Sequence, residues 1–302
     1  MKIARKKNRP PSFAATKGTD LFFDNLPKGG FVCAHRGARS IAPENTMLAM
    51  HRAKECGAHC WETDVRLSRD GEPIIFHDQT LERTTDVSSR KDHQNRTPWR
   101  TDHFTAVELQ DLDAGSWFLA DDPFGTVASG EITTEERAAI QGQKIPLLQE
   151  VLEFTRTHRF PVNLEIKPLD TPPGNVAIVN NIIAMIQQTA TTDLVLLSSF
   201  RHEYLLRARA LHPTIPLAVL AERRHPANLC NYLDELSAAA YHPDKALCTP
   251  RLINELQQAG FRINCWTVND IARAKEMLQT GMGVITDWPQ RMTSILDHRR
   301  TI

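Results

Sequence analysis

The sequence predicts an α/β fold on a mainly parallel sheet, and three observations carry that prediction. Short apolar, β-type runs alternate with helix-type runs from about residue 31 to the end of the chain. Most of the connections between strand-type runs are long enough for helical crossovers, which join parallel strands. Several strand-type runs end in charge, with His35, Glu62, Asp64, His77, Glu165 and Lys167 at or near their ends. That is unusual for a core and usual for the carboxyl-terminal mouth of an α/β barrel. Repeated this often, the alternation closes most naturally into a (β/α)8 TIM barrel. A doubly wound open sheet is the alternative, but no glycine-rich phosphate loop follows the first strand-type run.

Taken in order, residues 1–29 read as a mobile basic arm: MKIARKKNRPPSFAATKG has a basic start but no apolar segment behind it, so it is a poor secretory signal. The barrel domain is expected over 30–302. Its strand candidates are 31–35, 61–67, 73–77, 162–167, 194–200, 216–221, 238–242, 262–268 and 283–287. Helical patterns cover 45–56, 147–158, 175–190, 201–211, 228–236, 250–259 and 270–280. The first opens at Asn45-Thr46, a capping pair, and stops at Gly57; Gly260 and Gly281 follow the last two. Nine strand candidates compete for eight barrel places. The runs 61–67 and 73–77 are joined by only Ser68 to Glu72, too short for a helical crossover, so either one run lies outside the barrel or the barrel is distorted there. Residues 78–146 interrupt the pattern, with short helices expected at 105–112 and 133–140; so long a connection reads as a lid, a binding loop or a tethered minor domain.

Composition narrows the function. Lys+Arg and Asp+Glu are both 36, a net charge of +0, whereas a dedicated nucleic-acid binder carries a basic excess. Apolar content of 41% and charge of 24% suit a soluble globular chain. The six cysteines lack C-x-x-C spacing and several sit in apolar runs, so reduced, buried thiols in a cytoplasmic protein are expected and a structural zinc site is not. No apolar stretch approaches the roughly 20 residues of a membrane span, so no stable membrane insertion is expected.

Period-2 alternation puts Glu62 and Asp64 on one face of a strand, and Glu165 and Lys167 on one face of another. Side-by-side buried carboxylates are costly unless a cation balances them. Three carboxylates with no cysteine or clustered histidine describe a hard oxygen site for one divalent cation, Mg2+ or Ca2+. With that ion, and with Arg36 and Lys167 as cations, the site is net +1 and suits a singly charged phosphodiester; without it the site is net −1 and repels one. Arg36 offers a planar fork for phosphate oxygens and Lys167 a point charge. His35 and His77 each follow an apolar run and precede a polar residue, and an ordinary pKa of about 6.5 lets one accept and one donate a proton near neutrality.

With these residues in view, the chain resembles the glycerophosphodiester phosphodiesterase family. The similarity runs through HRGARSIAPENT (35–46), ETDVRLSRDG (62–71), HDQTLERTTD (77–86) and LDAGSWF (112–118). It continues through IPLLQEVL (145–152), NLEIK (163–167), SSF (198–200), CWTVND (265–270) and ITDWP (285–289), in the family's order and over nearly everything after residue 30. The resemblance implies a TIM barrel and hydrolysis of glycerophosphodiesters to glycerol 3-phosphate and an alcohol. It implies a divalent metal on Glu62, Asp64 and Glu165, an acid–base pair of His35 and His77, and phosphate contacts from Arg36 and Lys167. It further implies a mechanism like that of phosphatidylinositol-specific phospholipases, in which a neighbouring glycerol hydroxyl attacks phosphorus and a cyclic phosphodiester is then opened by water. Glu44 and Asn45 are candidates to orient the site, with helix capping the other role open to Asn45. Phe200 and Trp266 either wall the substrate pocket or pack in the core, and Asp287 either supports the site or caps the last helix.

Two departures stand out. The stretch 119–144 is longer than in compact members and carries Asp121, Asp122, Glu131, Glu135 and Glu136; placed over the site, such an acidic lid would disfavour anionic head groups. Trp61 stands where a small aliphatic residue is common. Competing readings are a lysophospholipase D-like enzyme with an acyl-chain groove, a sphingomyelinase D-like toxin, which would be secreted, and a non-catalytic phosphodiester-binding barrel. An intact pair of histidines favours catalysis, since a binder needs no acid and base.

Overall fold

The computed structural model describes residues 21–297. Its strands are β1 Phe31–His35, β2 Cys60–Leu67, β3 Pro73–Ile75, β4 Val162–Ile166, β5 Val195–Ser199, β6 Leu217–Ala221, β7 Ala240–Pro243, β8 Arg262–Cys265 and β9 Gly283–Thr286. Eight of them, all but β3, pair in parallel and close on themselves through β1 with β2 and β1 with β9, giving the expected barrel. The ninth strand is outside the ring. β3 runs antiparallel to β2, with Val65 opposite Ile75 and Leu67 opposite Pro73. The five-residue link turns back on itself, Ser68 N–H donating to the Glu72 carbonyl, and permits only a hairpin. β1 pairs with β2 only over Cys60 to Glu62, while β4 holds the other edge of β2, so β3 takes the edge that β1 leaves free. This brings His77, two residues past β3, to the mouth.

The helices are α1 Leu21–Asp24, α2 Met47–Glu55, α3 Ala106–Asp111, α4 Ser116–Asp121, α5 Thr134–Ile140, α6 Leu148–His158, α7 Pro172–Thr189, α8 His202–Leu211, α9 Leu229–Glu235, α10 Pro250–Gln258, α11 Ile271–Gln279 and α12 Pro289–Asp297. None of the described helices is long and apolar enough to cross a membrane. Strand alternation divides the apolar residues into two cores. Val32, Ala34, Trp61, Val65, Leu164 and Leu197 point outward beneath the helices, so the large Trp61 is absorbed as helix–sheet packing. Phe31, Cys33, Cys60, Leu196, Ala218, Ala240 and Ile285 fill the barrel itself. Space inside is tight at Gly283, where an added Cβ would lie 2.4 Å from the Phe31 ring.

Of the basic arm expected over 1–29, residues 1–20 lie outside the described residues, and residues 21–26 pack against the barrel instead of standing free. Phe22, Phe23 and Leu26, on and just after α1, are buried in the interior cluster beside Phe31, the first residue of β1. Three large apolar residues in five positions favour burial over solvation, by roughly 1.5–3 kcal/mol per side chain.

The long region 78–146 builds two small apolar clusters of its own. Leu81, Val87, Phe104, Leu109, Leu112 and Ile145 pack with Ile74 and Phe76. Phe118, Ile132 and Ile140 gather Ile41, Leu48, Trp117, Leu119, Phe124 and Val127.

Candidate active site

Inward-facing positions at the carboxyl ends of β2 and β4 contribute the charged groups. Glu62 and Asp64 rise from β2, and Glu165 and Lys167 from the end of β4, where Asp64 stands opposite Glu165 in register. One carboxylate oxygen from each of Glu62, Asp64 and Glu165 lies within 4.8 Å of the others, and all three residues are buried. Lys167 Nζ sits 2.7 Å from Glu165 and 3.3 Å from Asp64. Arg36 Nε is 3.3 Å from Asp64, while its Nη1 donates to Glu44 at 2.8 Å. The backbone at Arg36 is left-handed (φ 54°), and its N–H donates to Glu62 Oε2 at 3.1 Å. Gly37 follows at φ 81°, where a Cβ would lie 2.7 Å from Ala49 on α2. The turn after β1 is thus pressed against its own crossover helix.

Charge balance decides the protonation of the acids. Burial pushes the Glu62 carboxyl well up, and the Asp64 and Glu165 carboxylates push it further. Burial would raise Asp64 too, but Lys167, His77, Arg36 and the Asn45 amide outweigh it and hold Asp64 well below the usual range. Lys167 is raised, its carboxylate neighbours overcoming the cost of burial. Glu62 Oε1 is buried without a hydrogen-bond partner. Three converging carboxylates, one with an orphaned oxygen and a strained charge, fit a divalent cation with oxygen ligands.

Two histidines stand on the wall of the same cavity, each with a carboxylate at Nδ1. His35 Nδ1 meets Asp287 Oδ1 at 2.6 Å, and His77 Nδ1 meets Asp78 Oδ1 at 2.5 Å. Burial lowers the His35 pKa against the raising effect of Asp287. Asp287 itself is held down to about 2, because His35, Arg39 and the Asn269 amide outweigh its burial. A carboxylate at Nδ1 fixes the tautomer and leaves Nε2 to exchange protons. The cavity, of about 300 Å3, is lined by His35, Arg36, Glu62, His77, Glu165 and Lys167 at its charged side. Its other side is Phe200, Leu220, Glu222, Trp266, Thr267 and Ile285.

Phe200 and Trp266 therefore face the cavity, edge to face with ring centres 5.5 Å apart. Glu44 does not line it; it lies behind, beneath three arginines. Asn45 is no cap: Thr46 caps α2, and Asn45 donates to Asp64 at 2.9 Å and accepts from Thr63. Asp287 supports His35 and lies ahead of α12, whose first residue is Pro289. Sequence reasoning missed Arg39, Arg83 and Asn269 as partners of these carboxylates, and Glu222 as a cavity residue. Arg39 and Arg83 lie inside the motif stretches already singled out, but surface arginines are common and nothing in their spacing distinguishes them. The acidic stretch 119–144 does not form a lid: none of its five acids lines the cavity. Asp122 accepts the N–H groups of Val127 and Ala128, Glu131 pairs with Gln290 and Arg291, and Glu136 caps α5 and pairs with Arg52.

A parallel barrel with a carboxylate triad and two carboxylate-backed histidines at its mouth has the parts that metal-assisted phosphoryl transfer needs: oxygen ligands for a cation and two groups able to exchange protons. Residues 35–291 match the model of the glycerophosphoryl diester phosphodiesterase family, and the chain belongs to that family. It is 31% identical over 291 residues to a glycerophosphodiester phosphodiesterase of Bacillus subtilis, covering 92% of this chain and 89% of the relative. It is 33% identical to one of Bacillus altitudinis, over 89% of this chain and 99% of that protein. Among solved structures, an Oleispira antarctica phosphodiesterase in complex with the product sn-glycerol-3-phosphate superposes with a TM-score of 0.75. Its identity is 30%, over 91% of this chain and 98% of the other. A structure from Silicibacter pomeroyi reaches a TM-score of 0.78 at 22% identity, covering 93% and 98%, and supports the fold.

Proposed function

We infer that this chain hydrolyses glycerophosphodiesters to sn-glycerol 3-phosphate and an alcohol. The observation that carries the reading is a pair of histidines, each held at Nδ1 by its own carboxylate, on the wall of one cavity with the Glu62, Asp64 and Glu165 cluster. Those three acids would hold one Mg2+ or Ca2+ ion, which would supply positive charge for the phosphoryl oxygens. Arg36 and Lys167 add two fixed cations at the same place. One imidazole takes the proton of the glycerol hydroxyl next to the diester as that oxygen bonds to phosphorus. The other gives a proton to the departing alcohol oxygen as its bond to phosphorus breaks. Water then opens the cyclic diester by the reverse exchange: its proton goes to the second imidazole, and the first returns one to the glycerol oxygen.

The head group is read at the other side of the cavity. Among the described lining residues there, Glu222 carries the one charge, and it stands with the aromatic pair Phe200 and Trp266. A carboxylate beside aromatic rings favours an ammonium group, so glycerophosphocholine and glycerophosphoethanolamine are the expected substrates. A lysophospholipase D-like reading has one observation in its favour: a groove of about 560 Å3 shares Phe200 with the cavity and includes Leu206, Tyr232 and Leu236, but Arg201, His202, Glu203 and Glu235 line it as well.

The deciding experiment is a head-group panel with and without each metal. Glycerol 3-phosphate should be released from glycerophosphocholine with Mg2+ or Ca2+ and not with EDTA; activity that survives EDTA removes the metal assignment. Faster turnover of lysophosphatidylcholine would move the substrate to the acyl-chain reading, and binding without turnover would favour the non-catalytic barrel. Glu222→Gln should lower kcat/KM for the choline diester about fivefold relative to a neutral glycerol diester, about 1 kcal/mol for an exposed cation contact.

A further inference from the structure

His77 poses a positional problem. It follows β3, which is not a member of the barrel ring, and its ties to the barrel run to β2: Phe76 N–H donates to the Asp64 carbonyl and Arg66 Nε to the His77 carbonyl. His35 ends β1 and leans on Asp287, just past β9. Strand pairing through β2 places the two backbones, His35 opposite Glu62 and Phe76 beside Asp64, but it does not orient the rings, and one phosphorus must be reached by both imidazoles.

A chain of charged contacts spans that gap. Asp78, on the His77 ring, accepts from Arg83 Nε at 2.5 Å. Arg83 Nη2 donates to Glu44 Oε1 at 2.6 Å, and Arg39 Nη2 donates to Glu44 Oε2 at 2.5 Å. Arg39 Nη1 reaches Asp287 Oδ1 at 3.5 Å, the same oxygen that meets His35. Glu44 is the centre of this chain. Its side chain is only 3% exposed, and it accepts from Arg36, Arg39 and Arg83 together. Arg39 is also held over the Phe124 ring, 5.4 Å from its centre, so the inserted segment braces one arm. A buried carboxylate shared by three guanidinium groups has little freedom to move, and two of them, Arg39 and Arg83, end on the carboxylates that orient the two histidines.

We propose that Glu44 is a positioning residue, a hub that holds the His35–Asp287 and His77–Asp78 pairs at a fixed separation through Arg39 and Arg83. The inference rests on the phosphodiesterase reading for its purpose but on the contacts above for its geometry. Arg83 is 43% exposed, so Arg83→Met should fold, as circular dichroism would verify. With the full chain and glycerophosphocholine, Arg83→Met and Arg39→Met should each lower kcat by about 10–100-fold, the range for losing a group that orients a catalytic one, with KM within about threefold. Adding Arg83→Met to Glu44→Gln should then cost less than about twofold more, because the arm no longer leads anywhere.

Proton NMR gives a readout independent of turnover. The downfield Nδ1–H signal of His77 should be lost in Arg83→Met, that of His35 in Arg39→Met, and both in Glu44→Gln. If Glu44→Gln does not fold, the two arginine variants decide the matter by the same signals. Both signals intact in the arginine variants, a rise in KM with kcat unchanged, or full multiplication of effects in the double variant would each overturn the hub. A wild-type chain without turnover would instead overturn the phosphodiesterase reading, and the NMR signals would still judge the hub.

Discussion

Two regions of this molecule are rich in acid, and they behave oppositely. At the barrel mouth, Glu62, Asp64 and Glu165 are buried, converge within 4.8 Å, and leave one oxygen without a partner. In the insertion, the acids lie on the flank of the barrel, where Asp122, Glu131 and Glu136 are each occupied by a turn, a helix cap or a surface arginine. Acid content alone therefore does not mark a site. Inward strand positions in matched register force carboxylates together, and repulsion at that spacing persists only when something compensates it. On a loop the same residues disperse to whatever donors are nearest.

The comparison is tested most strongly at the mouth. His35→Ala and His77→Ala should each lower kcat by about 10²–10⁴-fold with folding intact; turnover retained in either would remove that residue from the proton-transfer pair. Asp64→Asn should cost about 10²–10³-fold and weaken divalent-ion binding in a calorimetric titration, because it leaves Lys167 and Arg36 short of a partner and removes a ligand. Unchanged ion affinity would separate Asp64 from the metal.

A third effect asks whether burial without convergence has any catalytic meaning. His242, on β7, is fully buried and meets Asn264 at 2.6 Å, and burial lowers its pKa from 6.5 to about 3. The unfolded chain takes up this proton near pH 6.5, whereas the folded chain does so only near pH 3. Stability should therefore fall as pH drops through that window, by at most about 1.4 kcal/mol per pH unit. Denaturant melts of His242→Gln should show a flatter dependence, with turnover of the glycerophosphodiester changed by less than about threefold.

The smallest effect is expected on the flank. Replacing Glu131 and Glu136 by Gln should cost at most about 1 kcal/mol per surface ion pair and leave the ratio of choline to neutral diester turnover unchanged. A changed ratio would show that the insertion reaches the head group after all.

Much of the site was legible before any fold was known. Glu62 with Asp64, and Glu165 with Lys167, are two residues apart on strand-type runs, and a period of two places such pairs on one face whatever the surroundings. The alternation of strands and helices likewise required a parallel sheet, and local sequence marked nearly every strand within a residue or two. Spacing of this kind is a property of the backbone, so the sequence pointed to a parallel sheet with a barrel as its natural closure, and it put the acids and the two histidines at the ends of strand-type runs.

What it could not determine were relations between elements distant in the chain. Whether β3 belonged to the ring depended on which edge of β2 was left unpaired, and that is set by where β1 ends. Whether α1 was arm or plug depended on the space beneath Phe31. Asn45 as a support for Asp64, Asp287 as the partner of His35, and Arg39 and Arg83 as arms of Glu44 all join residues that no local period connects. Those assignments belong to the tertiary structure, because only closure of the barrel brings the ends of β1, β2 and β9 and the residues after β3 around one buried charge.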